Sequence, residues 1–248
     1  MERVSTGIAG LDELVDGGYP RGRTILVMGE PGSGKTTFGL QFLMDGITNH
    51  KENGVLVALM EEPKDIMVEN AKQFGFDLAK YESEDSLRIL DLSPVRVVVD
   101  KEMTYAIPGE EAALGAKGFH VGELISVINK NIMEINAKRV VVDSITPFVL
   151  SRRDPFEIRY DITTIVRTLS AALVTALLTS ESWQGPEHRL SYGLESFLTD
   201  GVISLRSLCE GDQERKRYLE ILKMRGGAHS LKRYEYEITR QGMQLKTE

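Results

Sequence analysis

The octapeptide Gly29-Glu30-Pro31-Gly32-Ser33-Gly34-Lys35-Thr36 constrains this chain more than any other stretch. It fits the pattern GxxxxGK followed by Ser or Thr, the P-loop, which has meaning only between a strand and a helix. Thr24-Ile25-Leu26-Val27-Met28 is a short β-branched run and predicts a buried strand before it. Thr37 to Ile47 carries Phe38, Phe42 and Leu43 at helical spacing and predicts a helix opening at Lys35. The residue types suit a nucleoside triphosphate. Glycines let backbone N–H groups curl around a phosphate without Cβ clashes, the lysine ammonium reaches the β/γ oxygens, and the threonine hydroxyl ligates Mg2+. The helix N-terminus adds its positive end. The expected nucleotide contacts are therefore Glu30, Pro31, Gly32, Ser33, Gly34, Lys35, Thr36 and Thr37.

The order of elements predicts an α/β fold. Strands are expected at Ile25–Met28, Val55–Met60, Leu87–Leu92, Val140–Val142, Val174–Leu178 and Gly201–Leu205, several of them apolar throughout, as strands covered on both faces are. Helical patterns lie between them: Pro63 to Phe74, Phe156 to Leu173, and Val121 to Ile135, with Val121, Leu124, Ile125, Ile128, Ile132 and Ile135 on one face. The alternation implies a RecA-like P-loop core, a mostly parallel sheet with helices on both faces. Beyond residue 201 the pattern changes. Arg217–Leu222 and Arg233–Thr239 read as strands flanking the Gly226-Gly227 turn, so a C-terminal antiparallel hairpin is expected. Ser5 to Leu14 reads as a capped helix and a turn before the first strand. Residues 93–119 lack a clean period and hold Pro108, Gly109 and Gly115, which predicts an insertion or mobile loop. One domain over 1–248 is the simplest division.

Composition narrows the class. With 42% hydrophobic and 27% charged residues the chain is an ordinary globular sequence. The longest apolar run, Leu169 to Leu178, is broken by Ser170 and Thr175 and is too short to span a bilayer. The start lacks an apolar signal region. A lone cysteine, Cys209, excludes an internal disulfide and points to the cytoplasm. The net charge of −7 argues against a broad basic surface while leaving room for a local patch.

Three further stretches bear on chemistry. Glu61-Glu62 ends the second expected strand, where a carboxylate can orient or deprotonate a water in line with a γ-phosphate; acids also favour a helix start, as here. Arg139-Val140-Val141-Val142-Asp143-Ser144 is an apolar strand ending in a carboxylate, the Walker B pattern that holds the Mg2+ shell. In Lys223-Met224-Arg225-Gly226-Gly227-Ala228-His229 the two cations alternate and leave one face of a strand, which suits either a phosphate clamp or a charged edge strand.

Together with STGIAGLDELVDGG-YPRG, GEPGSGKTTFGLQFLMDG, VALMEEP, NAKQFGFDL, RVVVDS, ALLTSE, LTDGVISL and KMRGGAHS followed by YEYEIT, these residues give the chain a family resemblance. It resembles the KaiC-like ATPases of the RecA superfamily, in their single-domain archaeal form, from residue 5 to about 239. The match is weakest across Ser93–Phe119. The resemblance implies catalytic roles for Glu61 and Glu62, Mg2+ binding by Thr36 and Asp143, and a base or ribose contact at Gln73. It implies that Lys223, Met224, Arg225 and His229 reach the nucleotide of a neighbouring subunit, with Thr239 near the base. It also implies homo-oligomeric rings, usually hexamers, with ATP at each interface. There are departures. Gly227 stands where the family usually has Ser or Thr. Glu195-Ser196-Phe197-Leu198-Thr199-Asp200 lacks the Ser-Thr pair that the clock members phosphorylate, which argues against autokinase activity.

The expected function is thus Mg-dependent hydrolysis of ATP to ADP and phosphate at the interfaces of a cytoplasmic, regulatory ring. The alternative is a nucleic-acid-dependent ATPase resembling recombinase paralogues, binding single- or double-stranded DNA through Arg152, Arg153, His188 and Arg189 on loops that include Trp183 to Tyr192. A nucleotide-locked scaffold would have no need of Glu61 and Glu62.

Overall fold

The computed structural model describes residues 1–59, 63–92, 121–146, 149, 154–182, 193–208 and 215–246. Its centre is a nine-stranded sheet in the order β11-β10-β9-β8-β3-β7-β6-β4-β5. The parallel part comprises β3 (Thr24–Gly29), β4 (Gly54–Ala58), β5 (Leu87–Asp91), β6 (Arg139–Asp143), β7 (Thr175–Glu181) and β8 (Gly201–Leu208). The antiparallel part adds β9 (Lys216–Met224), β10 (Arg233–Thr239) and β11 (Gly242–Leu245). All six expected strands of the first part are present, and so is the antiparallel end. The strand β11 was not anticipated; it pairs Tyr236 with Leu245 and turns the hairpin back towards the phosphate loop.

Buried apolar residues cover both faces of the sheet. On one, Ile25, Val27, Phe38, Phe42, Leu43 and Leu56 pack beneath α1 (Lys35–Asp45), α2 (Lys64–Lys72) and α3 (Leu78–Ser83). On the other, Leu26, Met28, Val140 and Val142 meet α4 (Val121–Glu134), α5 (Pro155–Ala171) and α6 (Leu194–Leu198). Side chains of adjacent strand residues go to opposite faces, so a run such as Ile25-Leu26-Val27-Met28 serves both cores. Each fully buried Leu or Ile contributes roughly 1.5–3 kcal/mol. The buried face of α4 holds Leu124, Val127, Ile128 and Ile132, close to the expected stripe. The short helices α3 and α6 are shorter than a periodic pattern can reveal. No described helix is long and apolar enough to cross a membrane.

The N-terminal segment corrects the expectation of a capped helix. It forms a two-stranded ribbon, β1 (Arg3–Val4) against β2 (Tyr19–Pro20), around a single 3-10 turn at Asp12–Val15. Leu11 stands at the cap position and has no polar atom to cap with, while the Asp12 carboxylate accepts the Thr6 N–H at 2.8 Å. Residues 93–119, expected to be an insertion or loop, lie outside the described residues, as does Cys209.

One buried charge network joins this segment to the nucleotide-binding core. Arg139, only 1% exposed, opens β6. It donates to Glu52 at 2.7 Å, Asp45 at 3.1 Å, the Phe42 carbonyl at 2.8 Å and the Ser5 carbonyl at 3.1 Å. Arg21 reaches the other Glu52 oxygen at 2.7 Å. Burial alone would raise the Glu52 carboxyl; the two guanidinium groups outweigh it and hold that carboxyl below its ordinary value. Arg139→Met leaves Glu52 with Arg21 alone and takes the buried guanidinium from Asp45, and is expected to cost about 3 kcal/mol, the low end for breaking a buried pair, read as a lower urea midpoint. Because the folded value of Glu52 is depressed, this stabilisation is complete above the ordinary carboxylate range and fades as pH falls through the folded value. The gap between wild type and variant therefore narrows in acid; a gap independent of pH would show that Glu52 is not part of it.

Candidate nucleotide site

The phosphate loop sits where β3 ends, between β8 and β7, with the end of β6 one strand further on beyond β7. Pro31 and Gly32 are exposed at its tip, and Gly32 and Gly34 have φ of +76° and +90°, which suits glycine and turns the loop into α1. Gly34 also lets the C-terminal hairpin approach: an added Cβ would lie 2.6 Å from Ile238 Cδ1. From the same hairpin the Tyr236 hydroxyl, pushed up by burial, donates to the Ser33 carbonyl at 2.7 Å. Gln41 of α1 clasps Met243, accepting its N–H at 2.8 Å and donating to its carbonyl at 2.9 Å. The loop is thus held from behind by residues some two hundred positions away in the chain.

Several observations fit a triphosphate with Mg2+. No side chain caps the first turn of α1 and no acid lies in it, leaving its backbone donors for an anion. The Ser33 hydroxyl is buried without a hydrogen-bond partner among the described residues. The Lys35 ammonium donates to the carbonyls of Gly29 at 2.9 Å and Glu30 at 3.1 Å, which points it back over the loop. Burial pulls its pKa down, while the Glu181, Asp143 and Glu30 carboxylates work the other way. Thr36 Oγ1 donates to Asp143 Oδ2 at 2.7 Å, so the two expected Mg2+ ligands meet. The second Asp143 oxygen takes the Thr179 hydroxyl. Thr37 points into the protein and is buried. The Glu30 carboxylate accepts from Arg215 at 3.1 Å.

Glu61 and Glu62 lie outside the described residues. The chain leading to them runs beside Asp143: Ala58 pairs with it, and the Leu59 N–H donates to the Asp143 carbonyl at 2.8 Å. Arg152, Arg153, His188 and Arg189 are also outside the described residues. Gln73 follows the last turn of α2 and is exposed; α2 leaves the sheet edge that bears the phosphate loop, so its end points away from that loop. Thr239 ends β10 beside Ile238, and its hydroxyl bonds within the turn to Gly242 and Gln241. Met224 is buried against Gly201.

Lys223 and Arg225 stand apart from the loop in their own chain. Lys223 pairs with Val202, which is level with Leu26, and Met224 pairs with Gly201, level with Ile25. The phosphate loop begins after Gly29, at least three strand residues further on. That is about 10 Å along the strands, with β8 between β3 and β9 adding roughly 10 Å sideways. Both cations face the other way, towards α6: Lys223 Nζ donates to the Ser196 carbonyl at 2.7 Å and Arg225 to the Phe197 carbonyl at 3.4 Å. Burial, then the neighbouring Arg225, lower the Lys223 pKa, with Asp200 opposing. They border a cleft lined by Ser196, Phe197, Val202 and Leu222. His229 is half-buried in the loop beyond, next to Ser230, whose N–H donates to the Leu14 carbonyl at 2.9 Å. At Gly227 an added Cβ would lie 2.3 Å from the Arg3 guanidinium, so a side chain there displaces the end of Arg3 from its pairing with Asp16.

Thr179 and Glu181 were missed as site residues. The signal was a hydroxyl and an acid at the end of the apolar run Thr175–Glu181, next to the Walker B strand. Tyr236, Ile238 and Gln41 carried no comparable local signal.

A P-loop on a mostly parallel sheet, with a Walker B carboxylate against its threonine, defines a RecA-like nucleotide-binding protein. The family model for the KaiC ATPase matches residues 4–248, and the chain belongs to that family. Its fold is that of the RecA superfamily. It is similar to the circadian clock oscillator protein KaiC of Synechococcus elongatus, 39% identical over 99% of this chain, but spans only 44% of that protein. It is 37% identical to the UPF0273 protein MJ1359 of Methanocaldococcus jannaschii, covering 98% of this chain and 96% of that one. The crystal structure of the KaiC-like protein PH0186 from Pyrococcus horikoshii OT3 superposes with a TM-score of 0.80 at 35% identity, covering 99% of both chains.

Proposed function

We infer that the chain hydrolyses ATP to ADP and phosphate at the interfaces of a homo-oligomeric ring, most simply a hexamer, and acts in the cytoplasm as a regulator. The observation that carries this reading is the separation of Lys223 and Arg225 from the phosphate loop of their own chain. Two cations beside an open cleft suit the phosphates of a neighbour's ATP, as an arginine finger supplied in trans does. Lys35 and the first turn of α1 hold the β/γ-phosphates. Thr36 and Asp143 would hold Mg2+, which supplies charge neutralisation on the phosphate oxygens. Glu61 and Glu62 orient and deprotonate the attacking water. Met224, His229, Gln73 and Thr239 complete the nucleotide contacts, and no autophosphorylation is expected.

The test is the dependence of activity on assembly. Specific ATPase activity should rise with protein concentration and level off where native mass measurement reports the full oligomer. A monomer of constant specific activity would rule the shared site out.

A second reading, ATP hydrolysis stimulated by nucleic acid, rests on the start of α5. Phe156 and Tyr160 are 80% and 67% exposed there, with exposed Arg159 between them, directly after Arg152-Arg153. Aromatic faces beside cations can stack bases and meet phosphates. If this reading holds, single-stranded DNA raises the rate and Phe156→Ala with Tyr160→Ala removes the effect; an unchanged rate with DNA rejects it.

A further inference from the structure

Glu195 is a buried acid with none of the roles assigned so far. It lies on α6 at 4% exposure, accepts the Ser180 hydroxyl on Oε1 at 3.4 Å, and has no hydrogen-bond partner on Oε2 among the described residues. Its carboxyl is packed hard against the backbone: a Cβ on Gly193 would lie 2.1 Å from Oε2. Burial raises its pKa, against its own N–H and the Ser180 hydroxyl. The two ends of this contact have different neighbours. Ser180 follows Thr179, whose hydroxyl holds Asp143, and precedes Glu181. Glu195 precedes Ser196 and Phe197, whose carbonyls hold Lys223 and Arg225.

We propose that Glu195 is a positioning residue that ties the metal-binding end of β7 to the two cations the same subunit offers to its neighbour. The covalent neighbours Thr179 and Ser180 point to opposite faces of the sheet, so a shift at Asp143 is passed through β7 to α6. The carboxyl fixes α6, and α6 fixes the carbonyls on which Lys223 and Arg225 rest. Each subunit thereby links the site it forms with one neighbour to the site it completes on the other. The proposal rests on the shared active site inferred above.

The experiment uses the full chain and assigns Glu195→Ala to one half of the shared site. Alone, Glu195→Ala should lower kcat about tenfold or more, since displacing a catalytic group by about 1 Å costs up to 10²-fold, with ATP binding to the intact phosphate loop kept. Mixed with Glu61→Gln/Glu62→Gln subunits, whose cations are intact, it should regain activity. Mixed with Arg225→Ala, which has the same half defective, it should not. Glu195→Gln preserves shape and the acceptor for Ser180, and is expected within about threefold of wild type. Gly193→Ala, which evicts the carboxyl without altering it, should behave as Glu195→Ala does and stands in for it if that variant fails to fold. Wild-type kcat in both Glu195→Ala and Gly193→Ala overturns the proposal, as does rescue by Arg225→Ala. The control pair, Arg225→Ala with Glu61→Gln/Glu62→Gln, separates the two readings. If it regains activity and the Glu195→Ala pair does not, the proposal alone fails; if it does not, the shared site fails and takes the proposal with it.

Discussion

Lys35→Ala should weaken ATP binding by about 100-fold or more while leaving the fold intact. A charged contact to phosphate in a partly desolvated site is worth about 3 kcal/mol, and tenfold in affinity is about 1.4 kcal/mol. The ammonium is already aimed over the loop by the Gly29 and Glu30 carbonyls, so binding does not have to order the side chain. In their own chain Lys223 and Arg225 do not stand in for it, because they face α6. Calorimetric titration with ATP, beside a thermal unfolding scan, checks this. Wild-type affinity in a folded Lys35→Ala protein would mean that the phosphates bind elsewhere.

Replacing the acid pair has a different signature. Glu61→Gln with Glu62→Gln keeps size and removes only the bases, so ATP affinity should stay near wild type while turnover falls about 10²-fold or more, the usual worth of a general base. Ala58 and Leu59, which precede this pair in the chain, run alongside Asp143. An unchanged kcat would transfer water activation to another group, with Glu181 at the end of β7 the first to examine.

The sequence made the catalytic half of the fold readable because that half is local. A strand, a glycine loop and a helix follow one another within Thr24–Asp45, and the Walker B strand shows itself as an apolar run ending in Asp143. What holds the half-site in place is not local. Tyr236, Ile238 and Met243 meet Ser33, Gly34 and Gln41 only because the antiparallel end folds over α1, and no spacing rule connects them. Arg139 looked like the polar start of an apolar strand; its burial became evident only once Glu52, Asp45 and the Ser5 carbonyl came round it. The N-terminal stretch misled for a different, local reason. Its polar residues suggested a helix cap, but the Asp12 carboxylate accepts the N–H of Thr6, six residues earlier, and only a single 3-10 turn forms. Lys223 and Arg225 were recognisable as a pair of cations on one face, while their direction, away from their own phosphate loop, needed the register of β8 with β3 and β9.

The account stands or falls on whether one active site is built from two chains. Arg225→Ala and Glu61→Gln/Glu62→Gln, each inactive when assayed alone, should be mixed under conditions where subunit exchange is verified by mass. A mixed ring then contains interfaces with intact glutamates from one chain and an intact Arg225 from the other. The account predicts recovery of a fraction of wild-type turnover, below the full rate because only some interfaces are whole. Mixtures no more active than either parent, despite proven exchange, would contradict it.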